Sequence, residues 1–251
     1  MIKPYSLTVF RAILADPVIK ALCLYLESLD KGDAAISVDR YSSFVSALYN
    51  TKDCALSEYL QGIINDDENN YIRTVGAGES VPDKISDSVK RELSVLQEIA
   101  SLTPKELYSP ISEHTLLPEF EFKASDIAAE YYHRCENISR YGYGIYSRYH
   151  MFYLNEEGNI VPVQSPDSTR LSQLVDYKKE QQIILDNTKA LLEGKPAANI
   201  LLTGDAGTGK SSTIKAVVNE LYKNGLRILE IRKEQLRKIP AIIDELSINP
   251  L

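Results

Sequence analysis

The spacing of apolar residues over residues 1–142 predicts a series of amphipathic helices. Asp16-Pro17 pairs a capping residue with a proline suited to the first helical turn. The residues behind it recur at spacings of three and four, as on one face of a helix: Val18, Ala21, Leu22, Tyr25, Leu26 and Leu29. A longer pattern of the same kind runs from Ile85 to Ala100. We therefore predict an α-helical N-terminal domain over residues 1–142.

The pattern changes after Gly142, where an aromatic stretch leads into a β-hairpin. The polar segment Asn155–Asn159 separates Phe152-Tyr153-Leu154 from Ile160-Val161-Pro162-Val163. Pro162 has no N–H to donate to a neighbouring strand, so the second strand is expected at a sheet edge. A polar segment, residues 164–168, follows. We predict that residues 143–170 form a small hairpin and a linker.

Residues 171–251 alternate between helical and strand patterns. The segment from about Tyr177 to Leu192 is predicted to be a helix, and the apolar run 199–203 a buried strand. A second helix over about 210–223 ends at Asn224-Gly225, and residues 226–231 form the next strand. A strand–helix–strand unit pairs its strands in parallel through a right-handed crossover. The fold class predicted here is α/β, with a parallel sheet that includes strands 199–203 and 226–231.

The segment between strand 199–203 and its helix matches the phosphate-binding pattern G-x-x-x-x-G-K-[ST]. It is Gly204-Asp205-Ala206-Gly207-Thr208-Gly209-Lys210-Ser211, followed by Ser212. Its glycines permit backbone angles closed to other residues, so that successive N–H groups can surround an anion. We expect Lys210 to reach the β- and γ-phosphates of a nucleotide, and the Ser211 hydroxyl to bind Mg²⁺. The predicted ligand is Mg-ATP, held by residues 204–212.

Hydrolysis requires an acidic site that holds Mg²⁺ and orients water, normally at the end of an apolar strand. Glu230 and the pair Asp244-Glu245 are the two candidates. Ile239, Ile242, Ile243 and Leu246 have helical spacing, and Pro240 suits a first helical turn. This pattern favours a helix, although a short strand ending at Asp244-Glu245 remains an alternative. We predict no catalytic residue here and expect hydrolysis to need elements beyond residue 251.

Composition and charge limit the classes of partner that the chain is expected to bind. The net charge is −7, and residues 1–150 hold 15 basic and 22 acidic side chains, so we expect no nucleic acid to bind there. No apolar run reaches the length of a membrane-spanning helix, and the N-terminus lacks the pattern of a secretory signal. Three widely spaced cysteines fit a reducing compartment. We expect a cytoplasmic protein with no membrane partner.

Several short segments accompany the phosphate-binding loop: Leu171 to Tyr177, Asn187-Thr188, Gly194-Lys195-Pro196, Asn199 to Leu202, Gly204 to Ser212 and Asn224 to Arg227. Through these segments, residues from about 171 to 246 resemble a bacterial family of AAA+ type ATPases catalogued as a domain of unknown function. The resemblance implies Mg-ATP binding, oligomerisation and a position near the adenine for Val175 and Tyr177. Asp176 stands where the family usually has Gly, and Ala206 where it often has Arg. Family members continue through an acidic strand, a sensor residue and an arginine finger.

These observations lead to three functional hypotheses, one of which, a small-molecule kinase, fits the phosphate-binding loop but not the family resemblance. The first is an ATP-binding protein of the AAA+ type, whose residues 171–251 are the N-terminal portion of a nucleotide-binding domain that we expect to be truncated. We expect it to contact protein partners or to associate with itself. The alternative is a non-catalytic truncated protein whose helical N-terminal domain is a protein-interaction module. The length of the natural gene beyond residue 251 distinguishes the ATP-binding protein from this alternative.

Overall fold

The computed structural model describes residues 4–111 and 116–247, and helices predominate there. Three short strands also occur within these ranges: β1 (Met151–Leu154), β2 (Ile160–Pro162) and β3 (Ile228–Glu230). The helices are α1 (Pro17–Lys31), α2 (Ala34–Tyr49), α3 (Leu56–Asp66), α4 (Asn70–Gly76), α5 (Asp83–Ala100), α6 (Pro104–Tyr108), α7 (Ile127–Glu136), α8 (Ile138–Tyr141), α9 (Ile145–Arg148), α10 (Lys178–Leu192), α11 (Lys210–Leu221) and α12 (Ile239–Leu246).

The chain forms two compact units, Met1–Glu136 and Asn137–Leu251. The first unit is helical, and its largest packing surface lies between α1 and α2. Tyr25 of α1 and Tyr41 of α2 are fully buried, with ring centroids 5.4 Å apart in an edge-to-face arrangement. The Tyr25 hydroxyl donates to the Leu107 carbonyl oxygen, and the Tyr41 hydroxyl to that of Pro118 at 2.8 Å. These bonds supply the partners that buried phenols need.

The helix boundaries in this unit follow the sequence signals. Asp16 caps α1, since its carboxylate accepts from the N–H groups of Val18 at 2.9 Å and Ile19 at 3.2 Å. Gly32 ends the same helix in a left-handed conformation, with φ of 70°. Ile85 to Ala100 lies within α5, as the apolar spacing predicts. The prediction of helical structure in this part of the chain is confirmed.

The second unit contains a three-stranded sheet in the order β2-β1-β3. β1 pairs with β2 in antiparallel register, with Phe152 opposite Pro162 and Leu154 opposite Ile160. The hairpin is therefore confirmed, and Pro162 lies on an edge strand. β1 also pairs with β3, in parallel, with Phe152 beside Leu229. The strand and helix content agrees with an α/β unit built on a small mixed sheet.

The predicted strand at residues 199–203 does not form. The segment has no regular secondary structure and pairs with no described strand, and Leu201 is 85% exposed. The predicted parallel pair of residues 199–203 and 226–231 is therefore wrong. β3 pairs in parallel with β1 instead, and its other edge has no partner among the described strands. An apolar run favours a strand only when another edge offers hydrogen bonds. Among the described residues, the hairpin pairs with one edge of β3, and no strand pairs with residues 199–203.

Helix α11 packs against α10 and so fixes the segment that carries the glycine-rich loop. Ile184, Val217 and Leu221 form the buried centre of this contact. The partly buried residues around it are Leu171, Leu185, Leu192, Leu202 and Leu226. Leu202 is thus the one residue of the 199–203 run that joins this cluster, which places the start of the loop beside α10.

The polar segment at 164–168 is bound to α11 through Asn219. The buried Asn219 amide donates to the carbonyl oxygens of Asp167 at 2.7 Å and Thr169 at 2.9 Å. Gly225, just beyond α11, has a φ of 108°, and a Cβ there would lie 2.8 Å from the Ser139 carbonyl oxygen. Only glycine satisfies both conditions. In the part of the chain that the structure describes, no helix is both long and apolar enough to cross a membrane.

Candidate phosphate-binding site

The loop from Gly204 to Gly209 connects segment 199–203 to the first residue of α11. Its three glycines have φ values of 142° at Gly204, 82° at Gly207 and 79° at Gly209. Side chains of L residues strongly disfavour these angles, so the glycines are needed for this path. Asp205 and Ala206, which lie between Gly204 and Gly207, are exposed. Helix α11 then begins at Lys210, as the sequence pattern predicts.

The Lys210 side chain folds back over the loop that precedes it. Its ammonium donates to the carbonyl oxygens of Gly204 at 2.9 Å and Asp205 at 2.6 Å, and lies 3.2 Å from Thr208 Oγ1. Thr208 Oγ1 in turn donates to the Asp205 carbonyl oxygen at 2.9 Å. The positive charge is thus held inside the ring of the loop, next to the first turn of α11.

Backbone N–H groups at the start of α11 have no hydrogen-bond acceptor among the described residues. The N–H groups of Gly209 to Ser212 donate to no other described residue, whereas Thr213 N–H donates to the Gly209 carbonyl oxygen at 2.8 Å. Ser211 and Ser212 have hydroxyls that bond to no other described residue, and Ser211 is exposed. Uncommitted N–H groups at a helix start favour an anion through their partial positive charge. The donors present fit a phosphate chain, and a serine hydroxyl fits Mg²⁺.

A pocket of about 410 Å³ opens on the loop. One wall is the loop, with Thr203, Gly204, Asp205, Thr208 and Lys210, together with Thr213 of α11. The opposite wall is the start of α10 and the residue before it. Lys210 is the one cationic residue among the described residues that line the pocket, and the volume lies within the range of small-molecule sites. The lining thus holds one cation, Lys210, and two carboxylates, Glu180 and Asp205.

Val175 and Tyr177, which the resemblance places near the adenine, differ in their position relative to the pocket. Tyr177 lines the pocket, is 57% exposed and directly precedes α10. Val175 is 84% exposed and is not among the lining residues. Asp176 has a negative φ, whereas Tyr177 has a φ of 61°. An aspartate at 176 is therefore compatible with the turn, since the left-handed residue is the next one.

The candidate acidic residues lie on other elements. Glu230 ends β3 and is exposed, and Asp244 and Glu245 are exposed residues of α12. The helical interpretation of residues 239–246 is confirmed, and the strand alternative is wrong. The carboxylates that line the pocket are instead Glu180 and Asp205.

Sequence reasoning missed the contribution of α10 to this pocket. Glu180, Gln181 and Ile184 line the pocket from this helix. The helical spacing of these residues behind Tyr177 predicts that they share one face of α10. It does not predict which part of the chain that face contacts.

Residues 147–251 match the model of a family described as Protein of unknown function (DUF815). The matched range contains the loop, α10, α11 and residues 171–246, so the resemblance to a family catalogued as a domain of unknown function is confirmed. Neither a curated protein nor a solved structure matches the chain.

Proposed function

We propose that this protein binds Mg-ATP through residues 204–212 and acts as a P-loop ATP-binding protein of the AAA+ type. The observation that carries the proposal is the position of Lys210, whose ammonium lies within the ring of a loop with three left-handed glycines. A cation, a helix start and unpaired N–H groups meet there. This combination favours a chain of phosphates over a single small anion.

Each residue type has a role in this proposal. The N–H groups from Gly204 to Ser212 hold phosphate oxygens, and Lys210 neutralises the β- and γ-phosphates. Ser211 binds Mg²⁺, which supplies charge neutralisation of the phosphate oxygens when it is bound. Thr208 Oγ1, now 3.2 Å from the Lys210 ammonium, is the contact that a phosphate oxygen can replace. Tyr177, on the facing wall, receives the adenine.

Further features of the proposal follow from the AAA+ assignment. They are self-association or protein partners and a cytoplasmic location. The acidic excess of residues 1–150 supports the absence of a nucleic-acid partner, because a phosphate backbone would be repelled there.

A competition titration tests the proposal. With a fluorescent ATP analogue and Mg²⁺, we expect saturable binding that ATP and ADP displace. AMP should compete at least about tenfold more weakly, since it lacks the phosphates that Lys210 and the loop hold. Equal competition by AMP and ATP would place the binding energy on the base and contradict a phosphate site.

A further inference from the structure

The turn before α10 holds an unusual backbone conformation at the wall of the nucleotide pocket. Tyr177 has φ 61° and ψ 36°, and it is the one non-glycine residue with positive φ within 4–111 and 116–247. This conformation brings a Cβ too close to the neighbouring carbonyl oxygen, so it persists only where its surroundings hold it. Such residues concentrate at ligand sites, and this one lines the pocket that contains Lys210.

Two side chains of α10 hold the turn by its carbonyl oxygens. Gln181 Nε2 donates to the Asp176 carbonyl oxygen at 2.7 Å, directly before the left-handed residue. Lys178 donates to the carbonyl oxygens of Leu171 at 3.0 Å and of Leu174. The Gln181 N–H also donates to the Tyr177 carbonyl oxygen at 2.9 Å. Gln181 therefore binds the carbonyl oxygens of both peptide groups that flank Tyr177.

Burial distinguishes Gln181 from Lys178. Gln181 is 5% exposed and lines the pocket, whereas Lys178 is exposed and does not. A polar side chain this deeply buried is costly unless its hydrogen bonds are made. Its bond to Asp176 also fixes the orientation of the amide, because a carbonyl oxygen accepts only from the NH₂ group. The Oε1 atom of Gln181 makes no hydrogen bond to another described residue.

We propose that Gln181 is a positioning residue for nucleotide binding, one that holds the Asp176–Tyr177 turn in the shape that receives the base. The inference rests on the proposed function, since it needs the phosphates at Lys210. It assigns the α10 side of the pocket to base recognition and the loop side to phosphate recognition. The Tyr177 ring, more than half exposed, offers an aromatic face for the base once its backbone is fixed.

The test compares two ligands on matched variants. Gln181→Met keeps the length and volume of the side chain but removes the donor to Asp176. Gln182→Met makes the same change at the next residue, which is exposed and outside the pocket. The ligands are Mg-ATP and Mg-tripolyphosphate, which share phosphates but not the base. Calorimetry or displacement of a fluorescent nucleotide gives each dissociation constant.

We expect Gln181→Met to weaken ATP binding about tenfold and to change tripolyphosphate binding less than about twofold. Gln182→Met should match the wild type for both ligands. Unchanged ATP affinity in Gln181→Met would overturn the positioning role while leaving nucleotide binding intact. Equal losses for both ligands would also overturn it, because Gln181 would then support the pocket as a whole. Failure of the wild type to bind either ligand would refute the proposed function itself and this inference with it.

Coupling to Tyr177 provides the second readout. Tyr177→Gly removes the Cβ that makes the left-handed conformation unfavourable, so the turn needs less support. Gln181→Met should then cost less ATP affinity in the Tyr177→Gly background than in the wild type, by at least about threefold. Strictly additive losses would show that Gln181 does not act through this turn, and would contradict the proposal.

Discussion

Replacing Lys210 by alanine is expected to reduce the affinity for Mg-ATP by at least about 100-fold. The substitution removes the cation that neutralises the β- and γ-phosphates, and each charge-assisted hydrogen bond contributes about 1.5–3 kcal/mol. It also removes the bonds from the ammonium to the Gly204 and Asp205 carbonyl oxygens, which hold the loop closed. Titration with a fluorescent nucleotide, with and without Mg²⁺, measures the loss.

Lys215→Ala is the matched control for this substitution. Lys215 lies in the same helix, carries the same charge and is not among the residues that line the pocket. We expect its affinity to stay within about threefold of wild type, as a more distant charge is screened by salt. Equal binding by the wild type and Lys210→Ala would refute the assignment of the site.

The second large effect concerns turnover, which we expect to be no faster than background for the 251-residue chain. Holding the phosphates stabilises the bound ground state, whereas acceleration requires stronger interactions in the transition state. Among the described residues, no carboxylate that ends a strand lines the pocket, and no arginine lines it either. An arginine acting on the departing phosphoryl group can contribute about 10³–10⁵ in rate. Phosphate release by the purified chain, measured against buffer and heat-inactivated protein, tests this expectation.

An Asp244→Ala, Glu245→Ala double variant identifies the source of any activity that is found. Both residues are exposed on α12 and outside the pocket, so we expect the double variant to match the wild type. Clear turnover by the wild type that this variant abolishes would mean that α12 supplies the acidic site. That result would contradict the account of catalysis while leaving the phosphate site intact.

Local sequence signals predicted the elements whose stability is local. α1 begins at Pro17 because Asp16 caps it, and α11 begins at Lys210 because glycine precedes a helical face. The segment 239–246 contains both a short apolar run and helical spacing. The spacing gave the correct result there, because Pro240 fits a first helical turn and would remove a donor from a strand.

Local sequence signals did not predict which distant segments pair as strands. Residues 199–203 have the composition of a buried strand, yet a strand forms only where another edge accepts its hydrogen bonds. β3 has a similar composition and does pair, because β1 lies beside it about 75 residues earlier in the chain. Neither segment carries a mark in its own sequence that specifies this partner.

The candidate site likewise has one part that the sequence predicted and one part that it did not. Residues 204–212 were predicted from the sequence, since the geometry of a phosphate loop depends on glycines and a lysine at fixed spacing. The α10 wall was not, because the contact of Gln181 with Asp176 becomes visible only when the turn is folded. Tyr177 was expected near the base by resemblance alone, and its left-handed backbone had no signal in the sequence.

Hydrogen exchange with and without saturating Mg-ATP tests the central claim most directly, because it locates the nucleotide on the chain. Amides from Gly204 to Ser212 should exchange at least about tenfold more slowly in the complex, since phosphate oxygens accept from them. Amides of α1 and α2, in the first unit, serve as the internal reference and should not change. Saturation by Mg-ATP with unchanged exchange at residues 204–212, and protection elsewhere, would contradict the account.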